Sequence, residues 1–171
     1  MRILINRFIV FSRLLIPVIS ILLLFLFSQE VTAQEPPPHP LEITVVQNLG
    51  FGAFTHGVTG GTISISSSGF RSSTVSVIPL NLGYPFSAAG YHLVANRGTL
   101  ITILNVPGVP LNGSNGGSMT LHIITPPQLV INTDPPDFTL LNIGGTLEVG
   151  NTASNPPGNY DGFFDIIFIQ E

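Results

Sequence analysis

The chain has 171 residues, of which 44% are hydrophobic and only 8% are charged, and it contains neither cysteine nor lysine. This composition excludes disulfides, thiolate metal sites, P-loop phosphate binding and Schiff-base chemistry, each of which requires one of the two missing residues. Five basic residues against nine acidic ones also exclude a patch able to neutralise nucleic-acid phosphates, so we expect no nucleic-acid partner.

Residues 1–33 have the layout of a secretory signal peptide. Three arginines precede an apolar run at 14–27, and Val31 and Ala33 place small residues at positions −3 and −1 of a cleavage site. The run is shorter than the roughly 20 residues that span a bilayer, although an uncleaved signal anchor is the alternative. We expect export to the periplasm, the outer cell surface or the medium, with membrane contact only through this signal.

A proline-rich linker follows at residues 34–40, which hold four prolines and favour an extended chain. Beyond residue 33, two arginines, Arg71 and Arg97, stand against eight acids, a formal balance of −6. Solubility must therefore rest on serine, threonine and asparagine. Such a surface suits packing against copies of itself or against an envelope protein, and these are the partners that we expect.

Short apolar runs separated by glycine and proline fill the rest of the chain. We predict strands at residues 41–46, 62–66, 75–80, 91–94, 99–106, 119–124, 129–131, 138–143, 146–149 and in the last dozen residues. We interpret Gly144-Gly145 as a turn between two strands. We interpret Asn112-Gly113 as a hairpin turn, with N-glycosylation of Asn112-Gly113-Ser114 as the alternative. This spacing predicts one all-β antiparallel domain, a sandwich or barrel, at residues 41–171.

The last run is apolar on both of its faces. Alternation directs Phe164, Ile166 and Phe168 to one face of the predicted strand, and Phe163, Ile167 and Ile169 to the other. An ordinary sandwich strand has one polar face. We expect either the chain's own loops or a second molecule to cover the outer face, which makes these six residues a candidate assembly strand.

The sequence contains no recognisable catalytic or metal-binding motif. The four histidines (His39, His56, His92 and His122) share no metal-ligand spacing, and His92 and His122 fall within strands. Two acid pairs, Asp134 with Asp137 and Asp161 with Asp165, suit turns and solvation better than calcium, the alternative. We therefore predict no enzyme activity, no cofactor and no metal. If the domain binds a ligand, the aromatic candidates are Tyr84, Phe86 and Tyr91, although each is expected to pack in the core.

Several segments resemble the bacterial domain of unknown function 4402 (DUF4402). They are Leu49-Gly50-Phe51-Gly52, Gly60 to Ile65, Gly69 to Ser73, Met119-Thr120-Leu121, Ile143 to Gly150 and Gly158 to Gly162, in this order between Ile43 and Ile169. The closing segment is also similar to the end of chaperone–usher pilins and spore-coat-type adhesins. The resemblance implies an immunoglobulin-like, pilin-like sandwich at the surface of a Gram-negative bacterium, and it brings no catalytic residues.

One departure from the pilin pattern concerns the N-terminal extension. Pilins lend such an extension to the next subunit as a strand, but proline cannot donate to a ladder and residues 34–40 hold four. Exchange of that kind is not expected unless residues 41–46 are themselves the donor. The sequence thus predicts a non-enzymatic secreted or cell-surface structural or adhesion protein, fimbria-like in character; the alternative is a small secreted binding module for a glycan or partner protein.

Overall fold

The computed structural model describes residues 39–74, 76–104 and 107–171, so the predicted signal peptide and most of the linker lie outside the described residues. The first eight strands are β1 (Glu42–Gln47), β2 (Gly50–Phe51), β3 (Phe54–Thr55), β4 (Gly61–Ile65), β5 (Arg71–Ser73), β6 (Ile78–Pro79), β7 (Phe86–Ser87) and β8 (Ala89–Val94). The other seven are β9 (Leu100–Ile103), β10 (Val109–Gly113), β11 (Ser118–Ile124), β12 (Gln128–Val130), β13 (Thr139–Val149), β14 (Tyr160–Asp161) and β15 (Phe168–Gln170).

The predicted all-β antiparallel architecture is confirmed. A large sheet has the order β1-β8-β13-β11-β10-β14, with β4 and β5 attached through β13, and a smaller sheet has the order β12-β9-β15. Two short pairs, β2 with β7 and β3 with β6, complete the pairing among the described residues. No stretch of these residues forms a helix long and apolar enough to cross a membrane.

The core lies between the two sheets and follows the alternation of their strands. Four core side chains are fully buried: Ile63 and Ile65 of β4, Leu93 of β8 and Ile101 of β9. The ring of Tyr91 on the large sheet meets that of Phe168 on the small sheet at a centroid distance of 5.9 Å. Burial of these alternate apolar side chains holds the sheets together.

Strand β13 corrects the prediction of two short strands separated by a Gly144-Gly145 turn. The strand runs unbroken for 11 residues: its first half pairs with β8, and its second half lies between β11 and β4. A Cβ on Gly144 would collide with the backbone oxygen of Ile65. Here glycine permits two backbones to approach each other, which a sequence pattern does not distinguish from a turn.

The hairpin between β10 and β11 corrects the predicted Asn112-Gly113 turn. Both residues belong to β10, and Asn112 pairs with Ser118 across the ladder. The chain reverses at residues 114–117 instead, where Gly116 and Gly117 have φ angles of 88° and 75°. Glycine adopts this left-handed region readily, so the turn forms at Gly116-Gly117 and not at Asn112-Gly113.

Several other strands are shorter than predicted. Of the run at 75–80, only Ile78–Pro79 forms a described strand, and of the run at 99–106 the strand covers Leu100–Ile103. Residues 75, 105 and 106 lie outside the described residues. Apolar runs therefore located these strands, but pairing with a neighbour set their ends.

The close approach at Gly144 yields a first prediction. Gly144→Ala should lower the free energy of unfolding by about 2 kcal/mol or more, because the backbone of β4 would have to move to admit the methyl group. Asn142→Ala, two residues earlier on the exposed face of β13, is the matched control and should cost less than about 0.5 kcal/mol. Urea denaturation measures both changes; equal effects would contradict the steric account.

A second prediction concerns alkaline pH. Burial raises the pKa of the Tyr91 phenol above its ordinary value near 10. Since the folded chain holds this proton more tightly than the unfolded chain, the stabilisation is complete below that value and is lost as pH rises through the raised pKa. Tyr91→Phe should therefore flatten the decline in unfolding free energy above about pH 10. Urea denaturation across this range, with the exposed Tyr84→Phe as control, tests it; an unaltered decline would contradict it.

Candidate assembly site

The terminal segment alternates between buried and exposed side chains. Phe164, Ile166 and Phe168 are half-buried and pack against the core. Phe163, Ile167 and Ile169 are 97%, 57% and 43% exposed. Among the described residues, no loop of the chain covers this outer face. The expectation that the chain's own loops cover it therefore does not hold for these residues.

Regular pairing in this segment is shorter than predicted. Only Phe168–Gln170 forms a strand, β15, which pairs with β9. Residues 163–167 precede β15 without a ladder partner, although the amide of Leu104 donates to the carbonyl of Ile167 at 3.0 Å. A strand needs a neighbour as well as an apolar pattern, and the described strand β9 ends at Ile103.

The outer edge of β15 is open. The amide of Glu171 donates to Leu100 at 3.0 Å, so the main-chain groups of Ile167, Ile169 and Glu171 point toward β9. Main-chain groups of successive residues alternate in direction, so those of Phe168 and Gln170 point away from β9. Within the described residues no strand pairs with them. Phe168 and Gln170 thus present two donors and two acceptors at a sheet edge.

Strand β1 has an uncovered inner face. Ile43 and Val45 lie opposite Leu93 and Tyr91 of β8 and so point toward the interior of the sandwich. Leu93 is 0% and Tyr91 8% exposed, yet Ile43 is 39% and Val45 58% exposed. Within the part of the chain that the structure describes, the small sheet ends at β15, and no strand of that sheet lies opposite β1.

One side chain joins β1 to β15 at one end. The Gln170 amide oxygen accepts from the backbone nitrogen of Leu41 at 2.9 Å, and its amide nitrogen donates to the carbonyl of His39 at 3.2 Å. The beginning of the first strand therefore lies beside the end of the last strand. We call the gap between residues 41–54 and residues 160–170 the seam.

A groove opens at the other end of the seam. It has a volume of about 660 Å³, and its walls are formed by residues 49–54 on one side and 156–164 on the other. Four core side chains form its floor: Leu111, Met119, Leu121 and Leu147. The groove therefore gives access to the apolar interior of the large sheet.

The charges along the seam are acidic. Glu42, Asp161, Asp165 and Glu171 are all exposed, and none forms an ion pair with another described residue. The neighbouring cation, Arg71, is occupied: its guanidinium donates to the carbonyls of Phe51 at 3.2 Å, Ala53 at 3.4 Å and Leu80 at 3.4 Å. Glu171 Oε1 accepts a hydrogen bond from the Thr102 hydroxyl at 2.6 Å, whereas Glu42, Asp161 and Asp165 contact no other polar side chain among the described residues and are available to a cationic partner.

The aromatic binding candidates separate into three environments. Tyr84 is 65% exposed and lines the groove. Phe86 lies beneath Arg71, with the guanidinium carbon 4.2 Å from the ring centroid. Tyr91 is buried in the core, as was expected of all three side chains, whereas that expectation is wrong for Tyr84 and for Phe86, which is 44% exposed. Of the three, Tyr84 alone faces the groove.

The polar candidates do not come together. His56 contacts the carbonyl of Asn155 at 3.0 Å through Nε2, and His92 stacks on Phe138 at a centroid distance of 3.5 Å. His122 meets Glu148 at 3.2 Å on the exposed face of the large sheet. No three His, Asp or Glu side chains within the described ranges are arranged to hold a metal ion.

The sequence missed the contribution of β1 and Gln170 to this site. Alternation indicates that Ile43 and Val45 face inward, but it does not reveal that the opposing sheet stops one strand short. The side-chain bonds of Gln170 join residues 129 and 131 positions apart, and no local signal announces them.

Comparison with known proteins gives one finding. A family model described as "Domain of unknown function (DUF4402)" matches residues 41–169. No curated protein and no solved structure matches the chain. The match covers both sheets and the seam except Gln170, the last residue of β15.

The alternating burial of the terminal segment yields a third prediction. Phe163→Ser should alter the free energy of unfolding by less than about 0.5 kcal/mol, because the ring is 97% exposed. Its neighbour Phe164 packs against the core, so Phe164→Ser should cost about 2 kcal/mol or more. Chemical denaturation of the two variants checks the difference; a reversed order would contradict the assigned faces.

Proposed function

The chain belongs to the DUF4402 family, and from this premise we propose that it is a non-enzymatic, exported structural or adhesive protein, fimbria-like in working through assembly. One observation carries the proposal: an open sheet edge, an uncovered strand face and exposed apolar side chains all lie at the seam. These features provide association surface rather than groups for proton transfer. The expected site of action is the cell surface, which agrees with the predicted signal peptide.

The area of exposed apolar surface supports assembly. The outer face of the small sheet presents Leu104, Val130, Ile167 and Ile169, which are 41–57% exposed, beside the almost fully exposed Phe163. Exposed apolar side chains that share one face of a sheet are often functional, and this supports a contact with another macromolecule.

A small binding module is the second candidate, and the groove favours it. Tyr84 lines the opening, and apolar core residues form the floor, an arrangement that suits an apolar ligand. The structural proposal accounts for more of the molecule, since the open edge of β15 and the uncovered face of β1 have no place in a small-molecule site.

The proposed function predicts surface exposure and assembly in the bacterium that carries the gene. Antibodies raised against the domain should label intact cells, and crosslinking of those cells should shift the protein to higher mass. Phe163→Ser together with Ile167→Ser should reduce the crosslinked fraction while leaving export unchanged, because both side chains are exposed. Thr152→Ala, at an exposed loop position away from the seam, is the control.

Failure of the proposal has a distinct signature. A protein that is inaccessible in intact cells and remains a free monomer after crosslinking would contradict a structural role. Saturable binding of an apolar ligand by the monomer, lost in Tyr84→Ala, would favour the binding module instead.

A further inference from the structure

We propose that the seam accepts one extended strand from a different polypeptide, a strand with apolar side chains at alternate positions and basic residues at its ends. The inference rests on the proposed function and identifies the kind of partner that the assembly site takes.

One added strand would satisfy both incomplete elements. A strand hydrogen-bonded to β15 lies about 4.8 Å beyond it, in the small sheet and therefore opposite the next strand of the large sheet. That next strand is β1, since β8 already faces β15 through the contact between Tyr91 and Phe168. The inward side chains of the added strand would thus cover Ile43 and Val45.

The edge of β15 specifies how the partner's backbone binds. Phe168 and Gln170 each direct one N–H and one C=O away from β9, so a partner strand can form up to four main-chain bonds there. Such bonds give affinity without dependence on sequence, while pockets for alternate side chains give selectivity. The groove between residues 49–54 and 156–164 would receive side chains from the continuation of the same strand.

Charge indicates what lies at the ends of the partner strand. Glu42 and Glu171 lie near one end of the seam, where Gln170 joins the two chain segments, and Asp161 lines the groove at the other. An acidic partner would be repelled at both ends, whereas lysine or arginine would find unpaired carboxylates.

The chain's own sequence argues against a second copy as the source. Residues 34–40, the segment directly before the sandwich, hold four prolines and cannot donate a continuous ladder. The chain has no lysine, and only Arg71 and Arg97 follow residue 33. With residues 1–33 removed as the predicted signal peptide, the segment that remains before the sandwich is neither basic nor free of proline, so we place the source of the strand in another protein.

A synthetic peptide tests the proposal with the full chain, purified after export. The probe is a fluorescein-labelled peptide of about ten residues, long enough for a strand, that alternates valine with threonine and carries lysine at both ends. Fluorescence anisotropy should show saturable binding. Two matched peptides, one with glutamate in place of lysine and one with prolines at alternate positions, should each bind at least tenfold more weakly.

Two substitutions at position 170 test whether the peptide binds to the backbone edge of β15 or to the surrounding surface. Gln170→Ala removes the side-chain bonds to Leu41 and His39 but keeps the backbone N–H, so it is the reference against which loss of that N–H is measured. Gln170→Pro also removes the N–H that points away from β9, and it should weaken binding at least tenfold relative to Gln170→Ala. The ladder to β9 uses Ile169 and Glu171, so both variants should fold, as circular dichroism would show.

Each other outcome overturns the inference. Equal binding by the two Gln170 variants would mean that the β15 edge is not used, and no binding at about 1 mM peptide would mean that the seam accepts no strand. Self-association of the chain that the peptide reverses would make a second copy the occupant. None of these results bears on labelling of intact cells, so the proposed function stands or fails separately.

Discussion

The long strand β13 is the element on which the rest of the structure depends. Its 11 residues pair with β8, β11 and β4, and its inward side chains Leu141, Ile143 and Leu147 are at most 5% exposed. A single β-strand thereby joins the strands of the large sheet into one surface. Gly144 is required where β4 comes closest, because any side chain would meet the backbone of that strand.

Unequal sheet sizes explain the seam. The large sheet offers an inner face across eight strands, whereas the small sheet of β12, β9 and β15 can cover only part of it. Among the described residues, the inner face of β1 is left exposed, whereas the groove lies over Leu111, Met119 and Leu121, which are themselves buried. The proposed assembly would cover the part of β1 that the described strands leave exposed.

Much of the fold was predictable, because alternation reports which residues a sheet buries. β4, β11 and the inward residues of the terminal segment follow directly from it. Gly144-Gly145 and Asn112-Gly113 were wrong as turns, since a glycine needed for close approach looks the same in sequence as one needed for a positive φ. The candidate site was only half predictable: the apolar tail is visible in the sequence, but the open edge of β15 and the uncovered Ile43 depend on where distant strands end.

Amide hydrogen exchange of the purified chain tests the central claim, that one edge of β15 lacks a partner. The amides of Ile169 and Glu171, which point toward β9, should be protected, whereas those of Phe168 and Gln170 should exchange as fast as exposed loop amides. Protection that alternates residue by residue would establish a paired inner edge and an open outer edge. Equal protection of all four amides would contradict the account, because it would show that the chain already closes the seam by itself.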